Sequence, residues 1–548
     1  MTPQLIYNHS IEDSDIHNLC EDLVQYSDIA PKYYERFDVK RGLRNADGSG
    51  VIAGITRICM VHGYVMSEGE RQPIPGQLIY RGYDINDLIE NAEREDRYVF
   101  EEVAYLLLFG RLPNGADLER MTRSLGVRRE LPPGFLVDSI MQSPSNNIMN
   151  KLARSILSLY SYSDVTENTT IEDEMSIALD LIAKMPILMD GAYQAKRHKY
   201  DNASLIMHPL RPEENTAESI LSLIRNDRSY TKAEAQLLDT LLALHADHGG
   251  GNNSTFACRV ATSSGTDPFA AYTSAINSLK GPRHGGANIK VIQMLDDIKA
   301  HVAHWENEGE VADYLTKILR KEANDGSGLI YGMGHAVYTL SDPRAVILKR
   351  KAMALAAGKE IEREFRLLDT VEKLTPELMK SVRGNDKVVC ANVDMYSGLV
   401  YRMLGIPDEL FTPLFATARM VGWAAHRMEE ILTGKRIIRP AYKAIAKSRS
   451  TFRYAIGKAF YDAAAAVAAS RILPTLLPAV FRLYAGGDGG FPAETAQPEQ
   501  GTAADLSGTT GRSGQRHHPA IPQSRSQSVC LYSSRSGQRR RGRSVGVL

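Results

Sequence analysis

Three histidines with glycine neighbours are the first residues of this sequence that could do chemistry. His248 is followed by three glycines, His284 by two, and His335 comes directly after Gly334. Glycine lets a bound molecule approach the backbone and the neighbouring ring closely. Taken singly, each segment also fits a structural interpretation, either a histidine that satisfies buried hydrogen bonds or a glycine-rich connector between helices.

A metal site is an alternative for the first of these segments. His245, Asp247 and His248 are residue types that bind zinc, and two histidines three residues apart near a helix end face one direction. No HExxH or comparable spacing completes a ligand set. On this segment alone, a metal-dependent hydrolase therefore remains a possible function.

One aspartate and three arginines extend the set. Asp394 lies in a hydrophobic segment, where burial would raise its pKa. Arg344 follows His335 by nine residues, Arg419 lies on a predicted helix, and Arg439 precedes a proline. The planar guanidinium pairs well with carboxylates. Taken separately, Asp394 can be interpreted as a helix cap and the arginines as ordinary surface residues. Taken together with the histidines, they suit carbon-acid chemistry on a polycarboxylate.

The elements that must position these residues are predicted to be mainly α-helical. Apolar residues recur at helical spacing after Asp84, and Gly110 and Pro113 end that pattern. Thr231 and Glu234 form a capping box before another apolar stripe. Asp267 precedes Pro268, which predicts a capped helix with proline in its first turn.

Strand patterns are confined mainly to residues 54–80. Residues 57–66 and 77–80 flank a polar turn and predict a hairpin or small sheet. No repeat at fixed period is present, which argues against a solenoid. The predicted fold class is therefore mainly α with minor β-hairpin content near the N-terminus.

Composition limits the classes of partner. The 548 residues carry 65 Lys plus Arg and 65 Asp plus Glu, so no global field attracts nucleic acid or an acidic membrane. The five cysteines lie far apart, which indicates neither a disulfide framework nor a thiolate zinc site. No signal peptide or membrane span is expected. We expect a cytoplasmic protein that binds neither nucleic acid nor a membrane.

The C-terminal hundred residues have a different composition. From about Ser448 the chain becomes alanine-rich and then rich in glycine, serine, glutamine and arginine. Such a composition buries too little apolar surface to order itself. We expect residues 448–548 to be an atypical extension, disordered from about residue 490.

The motifs resemble the citrate synthase family, in the expected order over about residues 38–442. The stretches that carry the resemblance are 75–82, 245–254, 281–288, 332–344, 392–398 and 436–440. The resemblance implies a mainly α-helical homodimer whose subunit has a large domain, residues 1–289 and 409–447, and a small domain, residues 290–408. The small domain would close over the substrates.

The resemblance also implies a reaction, the condensation of acetyl-CoA with oxaloacetate and the hydrolysis of citryl-CoA to citrate and CoA, as in the tricarboxylic acid cycle. Asp394 would be the base that takes a methyl proton. His284 would stabilise the resulting enolate as a hydrogen-bond donor, and His335 would polarise the oxaloacetate carbonyl. No cofactor is implied, because the CoA thioester is a substrate, and no metal is implied.

Substrate binding would rely on histidine and arginine side chains. The residues expected to hold the oxaloacetate carboxylates are His248, Arg344, Arg419 and, from the other subunit, Arg439. Weaker candidates for contact with the CoA phosphates are Arg283, Lys349, Arg350 and Lys351.

Two other functions stay open beside the hydrolase. A 2-methylcitrate synthase would use propionyl-CoA, and one methylene is worth only about 1–3 kcal/mol of discrimination. A catalytically inactive binding protein is disfavoured, because both catalytic histidines and Asp394 are present together.

Overall fold

Helices make up most of the described chain, which confirms the predicted fold class. The computed structural model describes residues 20–21, 23–24, 27–45, 47–67, 70–167, 169–384 and 388–446. The predicted extension, residues 448–548, lies outside the described residues. Within them, no helix is long and apolar enough to cross a membrane.

A three-stranded antiparallel sheet near the N-terminus confirms the predicted hairpin. Its strands are β1 (Cys59–Ser67), β2 (Glu70–Tyr80) and β3 (Tyr83–Asp84), in that spatial order. Strand β2 begins before the predicted residue 77 and runs through Pro73 and Pro75. It tolerates them because β3 pairs only with Ile79 and Tyr80, so the proline positions lack a partner strand on that side.

The first half of the described chain contains one long helix and several shorter ones. These helices are α1 (Lys32–Arg36), α2 (Ile85–Arg94), α3 (Phe100–Phe109), α4 (Gly115–Arg128), α5 (Ile148–Ser158), α6 (Ile171–Tyr200), α7 (Thr216–Ile224) and α8 (Lys232–His245). The longest, α6, is buried over much of its length.

The second half supplies the helices that carry the candidate site. They are α9 (Asn253–Ser263), α10 (Pro268–Leu279), α11 (Ala287–His301), α12 (Glu308–Leu319), α13 (Pro343–Ala356), α14 (Glu362–Arg383), α15 (Asp394–Met403) and α16 (Phe411–Thr433). Helix α16 packs against α3, α6, α8 and α9 and carries the fully buried Trp423.

The two predicted caps are present. Thr231 with Glu234 forms a complete capping box on α8. Asp267 caps α10 before Pro268. At the start of α2, the Asp84 side chain also accepts a hydrogen bond, from the Asn86 N–H. Helix α3 ends at Phe109 and is capped by Gly110, whose φ of 80° is the left-handed conformation that glycine adopts at little cost.

The described residues up to Ile445 belong to one compact unit. Within this unit, α11, α13 and α14 each pack against α15. Helices α13, α14 and α15 lie within residues 290–408, and α11 begins just before this range. The division into a large domain (1–289, 409–447) and a small domain (290–408) stays a prediction.

Candidate active site

The segment after α8 is held rigidly by buried polar contacts. The Asp247 carboxylate accepts the Gly249 N–H at 3.0 Å and pairs with His426 at 3.1 Å. The Tyr80 hydroxyl donates to the carbonyl of Asp247 at 3.0 Å. These contacts place His248 at the edge of a cavity. Burial, followed by the positive charge of Arg344, lowers the pKa of His248 well below its usual range, so its ring is neutral.

His245 has a different environment from His248. It is the last residue of α8 and is almost fully buried, with its ring edge-on to Phe415 at 4.5 Å between centroids. Neither ring nitrogen has a hydrogen-bond partner among the described residues, and it does not line the cavity. Among the described residues, no group of three or more His, Cys, Asp or Glu is arranged to hold a metal ion.

His335 and Asp394 are carried by two backbone segments that hydrogen bond to each other. The Gly334 N–H donates to the Cys390 carbonyl at 2.7 Å, and the Asn392 N–H donates to the Gly332 carbonyl at 2.9 Å. The Asn392 side chain strengthens the connection: Nδ2 donates to the Gly334 carbonyl at 2.9 Å, and Oδ1 accepts the Asp394 N–H at 2.9 Å. The two segments are thereby held in one relative position.

The tautomer of His335 follows from its backbone contacts. Its Nδ1 faces the N–H groups of Val337 and Tyr338, both at 3.0 Å. Two donors directed at one nitrogen require that this nitrogen be an acceptor, so the ring proton lies on Nε2. Burial and then the charge of Arg344 lower the pKa of His335 to about 4. His335 is therefore a neutral ring whose Nε2–H can donate.

His284 lies between α10 and α11, where its Nε2 is 3.1 Å from both Asn252 Oδ1 and Ser254 Oγ. The Trp423 Nε1–H donates to Ser254 Oγ at 3.1 Å. Ser254 thus retains one proton to donate, either to Asn252 Oδ1 or to His284 Nε2. Burial, followed by the charge of Arg419, lowers the pKa of His284 to about 4. The ring is neutral near pH 7.

Arg344 is held by a carboxylate two residues before it. Asp342 is almost fully buried and accepts from Arg344 Nε at 3.0 Å and Nη2 at 2.7 Å. Burial opposes the charged guanidinium, but the Asp342 charge outweighs burial and raises the pKa of Arg344. This bidentate pair fixes the direction of the guanidinium.

Arg419 is a fully buried arginine of α16 without a bidentate partner. Its Nε donates to the His245 carbonyl at 2.6 Å, while Nη1 and Nη2 have no partner among the described residues. The guanidinium lies 4.7 Å from the centre of the Phe415 ring. Burial lowers the pKa of Arg419, and the carboxylate of Asp247 opposes that shift. A buried cation with free donors is suited to an anion.

Six of the candidate side chains, those of His248, His284, His335, Arg344, Asp394 and Arg419, meet at one cavity of about 150 Å³. The residues that line it are His248, Asn252, His284, Gly285, Asn288, His335, Arg344, Asn392, Val393, Asp394, Phe415 and Arg419. Six of the seven site residues predicted from the sequence therefore lie around a common space, although they come from separate parts of the chain.

The carboxyl group of Asp394 is suited to act as a base near neutral pH. Burial raises its pKa to about 6, and the positive charge of Arg344 opposes this shift. A base with a pKa close to the working pH combines a populated carboxylate with appreciable proton affinity.

Arg439 is the seventh predicted residue, and it does not line the cavity of its own chain. It lies in the exposed segment after α16.

The candidates for contact with the CoA phosphates differ in whether they already have an ion-pair partner. Lys349 pairs with Glu372, and Lys351 and Arg350 both pair with Glu93. Arg283, next to His284, is exposed and forms no hydrogen bond or ion pair with another described residue.

Sequence reasoning missed the residues that orient the site. They are Asn252, Ser254, Asp342, Asn392 and Trp423. Asn392 and Asp342 stand two residues before Asp394 and Arg344, which is the spacing of a local side-chain cap. Ser254 and Trp423 are 169 residues apart, so no local pattern connects them.

Comparison with known proteins identifies relatives of this arrangement. The family model "Citrate synthase, C-terminal domain" matches residues 46–441. A citrate synthase of Haloferax volcanii is 32% identical over 74% of this chain and 94% of its own length. A 2-methylcitrate synthase of Shewanella oneidensis is 33% identical over 66% of this chain and 87% of its own.

A solved structure is also similar. It is the ternary complex of carboxymethyl coenzyme A and oxaloacetate with citrate synthase from Thermoplasma acidophilum. The TM-score is 0.62 at 26% identity, and the match covers 76% of this chain and 99% of that one.

Proposed function

Because this chain belongs to the citrate synthase family, it is an acyltransferase that condenses acetyl-CoA with oxaloacetate, and we propose that Asp394, His284 and His335 carry out the reaction. One observation supports this assignment above the others. A half-buried carboxyl group, three neutral imidazoles and two buried guanidinium groups surround a cavity of about 150 Å³.

Asp394 removes a proton from the methyl group of acetyl-CoA in the proposed mechanism. The C–H electron pair becomes the enolate, whose negative charge develops on the thioester oxygen. A methyl group of this kind is far less acidic than a carboxylic acid, so the base alone is not enough. With Ser254 donating to Nε2, His284 carries its proton on Nδ1 and supplies this N–H as a fixed donor to the enolate oxygen. Removal of such a donor typically costs about 10² to 10³ in rate.

His335 activates the second substrate. Its Nε2–H, set by the two backbone donors on Nδ1, donates to the ketone oxygen of oxaloacetate. The enolate carbon then attacks the polarised carbonyl carbon, a C–C bond forms, and the new alkoxide takes the Nε2 proton of His335. The product is citryl-CoA. Water then attacks its thioester carbonyl and returns a proton to His335, the C–S bond breaks, and the departing sulfur takes the proton held by Asp394, so that citrate and CoA are released and both groups are restored.

Oxaloacetate is held by charge-assisted hydrogen bonds. Arg344 presents a guanidinium oriented by Asp342, and Arg419 contributes two buried nitrogens that no described protein group occupies. His248 lies beside His335, with 5.1 Å between ring centroids. A dicarboxylate entering this space would satisfy the free arginine donors, which supports a small polyanion as ligand.

The CoA phosphates are assigned to Arg283 rather than to the basic run on α13. Lys349, Arg350 and Lys351 pair with carboxylates of their own chain. Arg283 is an exposed cation beside His284, on the side of the cavity where the thioester would lie.

The assay that tests the function follows thiol release from acetyl-CoA with and without oxaloacetate. We expect release that depends on oxaloacetate, and we expect Asp394→Ala to abolish it while calorimetric binding of oxaloacetate persists. Thiol release at the wild-type rate in Asp394→Ala would overturn the assigned base. Oxaloacetate-independent release would instead support a thioesterase.

The acyl donor has a second candidate. The Shewanella oneidensis relative is a 2-methylcitrate synthase at nearly the same identity as the citrate synthase relatives. Comparing kcat/KM for acetyl-CoA and propionyl-CoA decides between them, and preference for propionyl-CoA would replace the acetyl assignment. The hydrolase alternative loses support, because the Asp247 carboxylate is already bound to Gly249 and His426.

The chain is proposed to work as a cytoplasmic homodimer without a cofactor. The cysteines of the described residues are free and widely spaced, which supports a reducing compartment. Two segments without helix or strand, residues 51–56 and 434–445, leave large apolar side chains exposed, among them Ile55 at 91% and Tyr442 at 94%. Such surfaces suit contact with a second copy, which would allow Arg439 to reach the partner's cavity.

A mixing experiment tests the shared site. Asp394→Asn and Arg439→Ala are each expected to be nearly inactive. If Arg439 acts across a two-fold interface, a mixed dimer contains one intact site, so reassociated mixtures should regain about a quarter of wild-type activity. Failure to regain activity, with mixed dimers verified by native mass spectrometry, would contradict an Arg439 that acts in trans.

A further inference from the structure

Helix α15 carries two hydroxyl groups on the same side as Asp394. The helix begins at Asp394, and Ser397 and Tyr401 follow at i+3 and i+7. At 100° per residue these positions lie about 60° and about 20° from Asp394 around the helix axis. Side chains of a helix lean toward its N-terminal end. The Tyr401 ring is therefore directed toward the first turn of α15, which begins with Asp394.

Both hydroxyl groups are buried without a protein partner. Ser397 and Tyr401 each have 0% of their surface exposed. Neither Ser397 Oγ nor Tyr401 Oη has a hydrogen-bond partner among the described residues. A buried hydroxyl without a partner is costly, and polar groups of this kind are usually satisfied by an internal water.

The Tyr401 hydroxyl is close enough to Asp394 to interact electrostatically with its carboxylate. Burial raises the pKa of Tyr401 well above its usual range, and the negative charge of Asp394 raises it further. The hydroxyl therefore keeps its proton throughout the working pH range and can donate it. The Asp394 carboxylate, for its part, receives no hydrogen bond from any described protein group; its backbone N–H alone is bonded, to Asn392.

We propose that Ser397 and Tyr401 hold an ordered water behind Asp394, and that this water donates a hydrogen bond to the carboxylate. Tyr401 is then a positioning residue: it stabilises the ionised form of the base and fixes its orientation toward the substrate methyl group. This inference rests on the proposed role of Asp394 as base. The water has three polar partners, the number that internal waters typically have.

The other charged and titratable groups near Asp394 come from several elements. They are Arg344 and Asp342 at the start of α13, Arg419 of α16, and the rings of His248, His284 and His335. The pKa is lowered to about 4 for His284 and His335 and well below its usual range for His248, so among these groups the ionisation of Asp394 is the one that changes between pH 5 and pH 7.5.

The test is the pH dependence of kcat for condensation. Removing a donor from a carboxylate disfavours its ionised form, so the apparent pKa of the base should rise. In Tyr401→Phe the acid limb of the profile should move to higher pH by about half a unit to one unit, the size expected for one hydrogen bond. Ser397→Ala should move it in the same direction.

A matched control is available in Tyr272 of α10. It is another fully buried tyrosine whose hydroxyl has no partner among the described residues, but burial, Arg427, Cys258 and Glu174 rather than Asp394 determine its pKa. Tyr272→Phe should leave the acid limb in place. A shift in Tyr272→Phe equal to that in Tyr401→Phe would overturn the inference, because the effect would then be general loosening.

A double variant tests whether one water is shared. If both hydroxyls hold the same water, Tyr401→Phe with Ser397→Ala should shift the acid limb no more than the larger single shift. Profiles of both single variants that superimpose on wild type would overturn the inference. Should Tyr401→Phe fail to fold, Ser397→Ala carries the same test.

The outcome is separable from that for the proposed function. If Asp394→Asn is active, the assignment of Asp394 as the base is wrong. If Asp394→Asn is inactive but the pH profiles of Tyr401→Phe and Ser397→Ala match wild type, that assignment stands and only the proposed water is contradicted.

Discussion

The side-chain amide of Asn392 donates to the carbonyl oxygen of Gly334 at 2.9 Å, across 58 residues of sequence. Gly334 directly precedes His335, and Asn392 stands two residues before Asp394, whose N–H it accepts. One side chain therefore connects the segment of the proposed acid with the segment of the proposed base.

Replacing Asn392 should impair catalysis more than binding. Asn392→Ala removes both contacts and frees Asp394 to move relative to His335. We expect kcat to fall by about 10- to 100-fold, because small displacements of reacting groups cost rates of this size, while KM for oxaloacetate changes little. Steady-state kinetics with both substrates varied measure the two effects separately.

Asn307 provides the control. It caps α12 by accepting the Gly309 N–H at 2.9 Å, the same local contact that Asn392 makes with Asp394. Asn307→Ala should lower stability by about 1 kcal/mol through loss of the cap and leave kcat unchanged. Equal losses of kcat in the two variants would contradict a specific role for Asn392.

Asp394 should make the folded protein less stable at alkaline pH. Burial raises its folded pKa to about 6, above the value near 3.9 of an unfolded chain. Above pH 6 the carboxylate is ionised in both states and the folded state carries the full cost; below about pH 4 it is protonated in both and the cost disappears. Asp394→Asn should therefore be more stable by about 1–3 kcal/mol at pH 8.

This gain should disappear as the pH falls from 6 to 4. Urea unfolding at pH 8, 6 and 4.5 measures it. Asp313, an exposed aspartate of α12, is the control, and Asp313→Asn should give no comparable gain at pH 8. A stabilisation of Asp394→Asn that is independent of pH would show that burial of the charge is not its source.

Two buried arginines of α16 should respond in opposite ways to substitution. Arg427 forms a bidentate pair with Glu174, with Nε to Oε2 at 2.8 Å and Nη2 to Oε1 at 2.6 Å. Arg419 has two nitrogens without a partner among the described residues. Arg427→Met should lower the free energy of unfolding by about 3–5 kcal/mol and leave KM for oxaloacetate unchanged.

Arg419→Met should instead retain or gain stability, because it removes an unpaired buried charge. Its KM for oxaloacetate should rise by about 10- to 100-fold, as expected for one or two lost charge-assisted bonds. Thermal shift measurements with added oxaloacetate provide a second readout, in which wild type and Arg427→Met are stabilised by the ligand and Arg419→Met is not.

Arg283 should contribute to acetyl-CoA binding through charge. Arg283→Ala should raise KM for acetyl-CoA by about two- to fivefold, the range for one exposed ion pair, and the difference from wild type should shrink in high salt. Lys351→Ala is the control, since Lys351 is already paired with Glu93. A larger effect for Lys351→Ala than for Arg283→Ala would move the phosphate site to α13.

Local patterns in the sequence determined the secondary structure near the site. Thr231 with Glu234 and Asp267 with Pro268 mark helix starts because capping depends on residues within one turn of each other. The hairpin was predicted from alternation over a few residues. Strand β2 extends further than predicted, because proline, which has no N–H, is tolerated where no neighbouring strand needs a donor. Motif order indicated the family and which residue types would act.

Tertiary structure alone decided the protonation states and the supports of those residues. His335 is a neutral Nε2–H donor because two backbone N–H groups reach its Nδ1, and Asp394 has a raised pKa because helices distant in sequence remove water from it. Trp423, Ser254 and His284 form one chain of contacts across 169 residues. Burial and long-range hydrogen bonds depend on which elements pack together, so no local pattern could supply them.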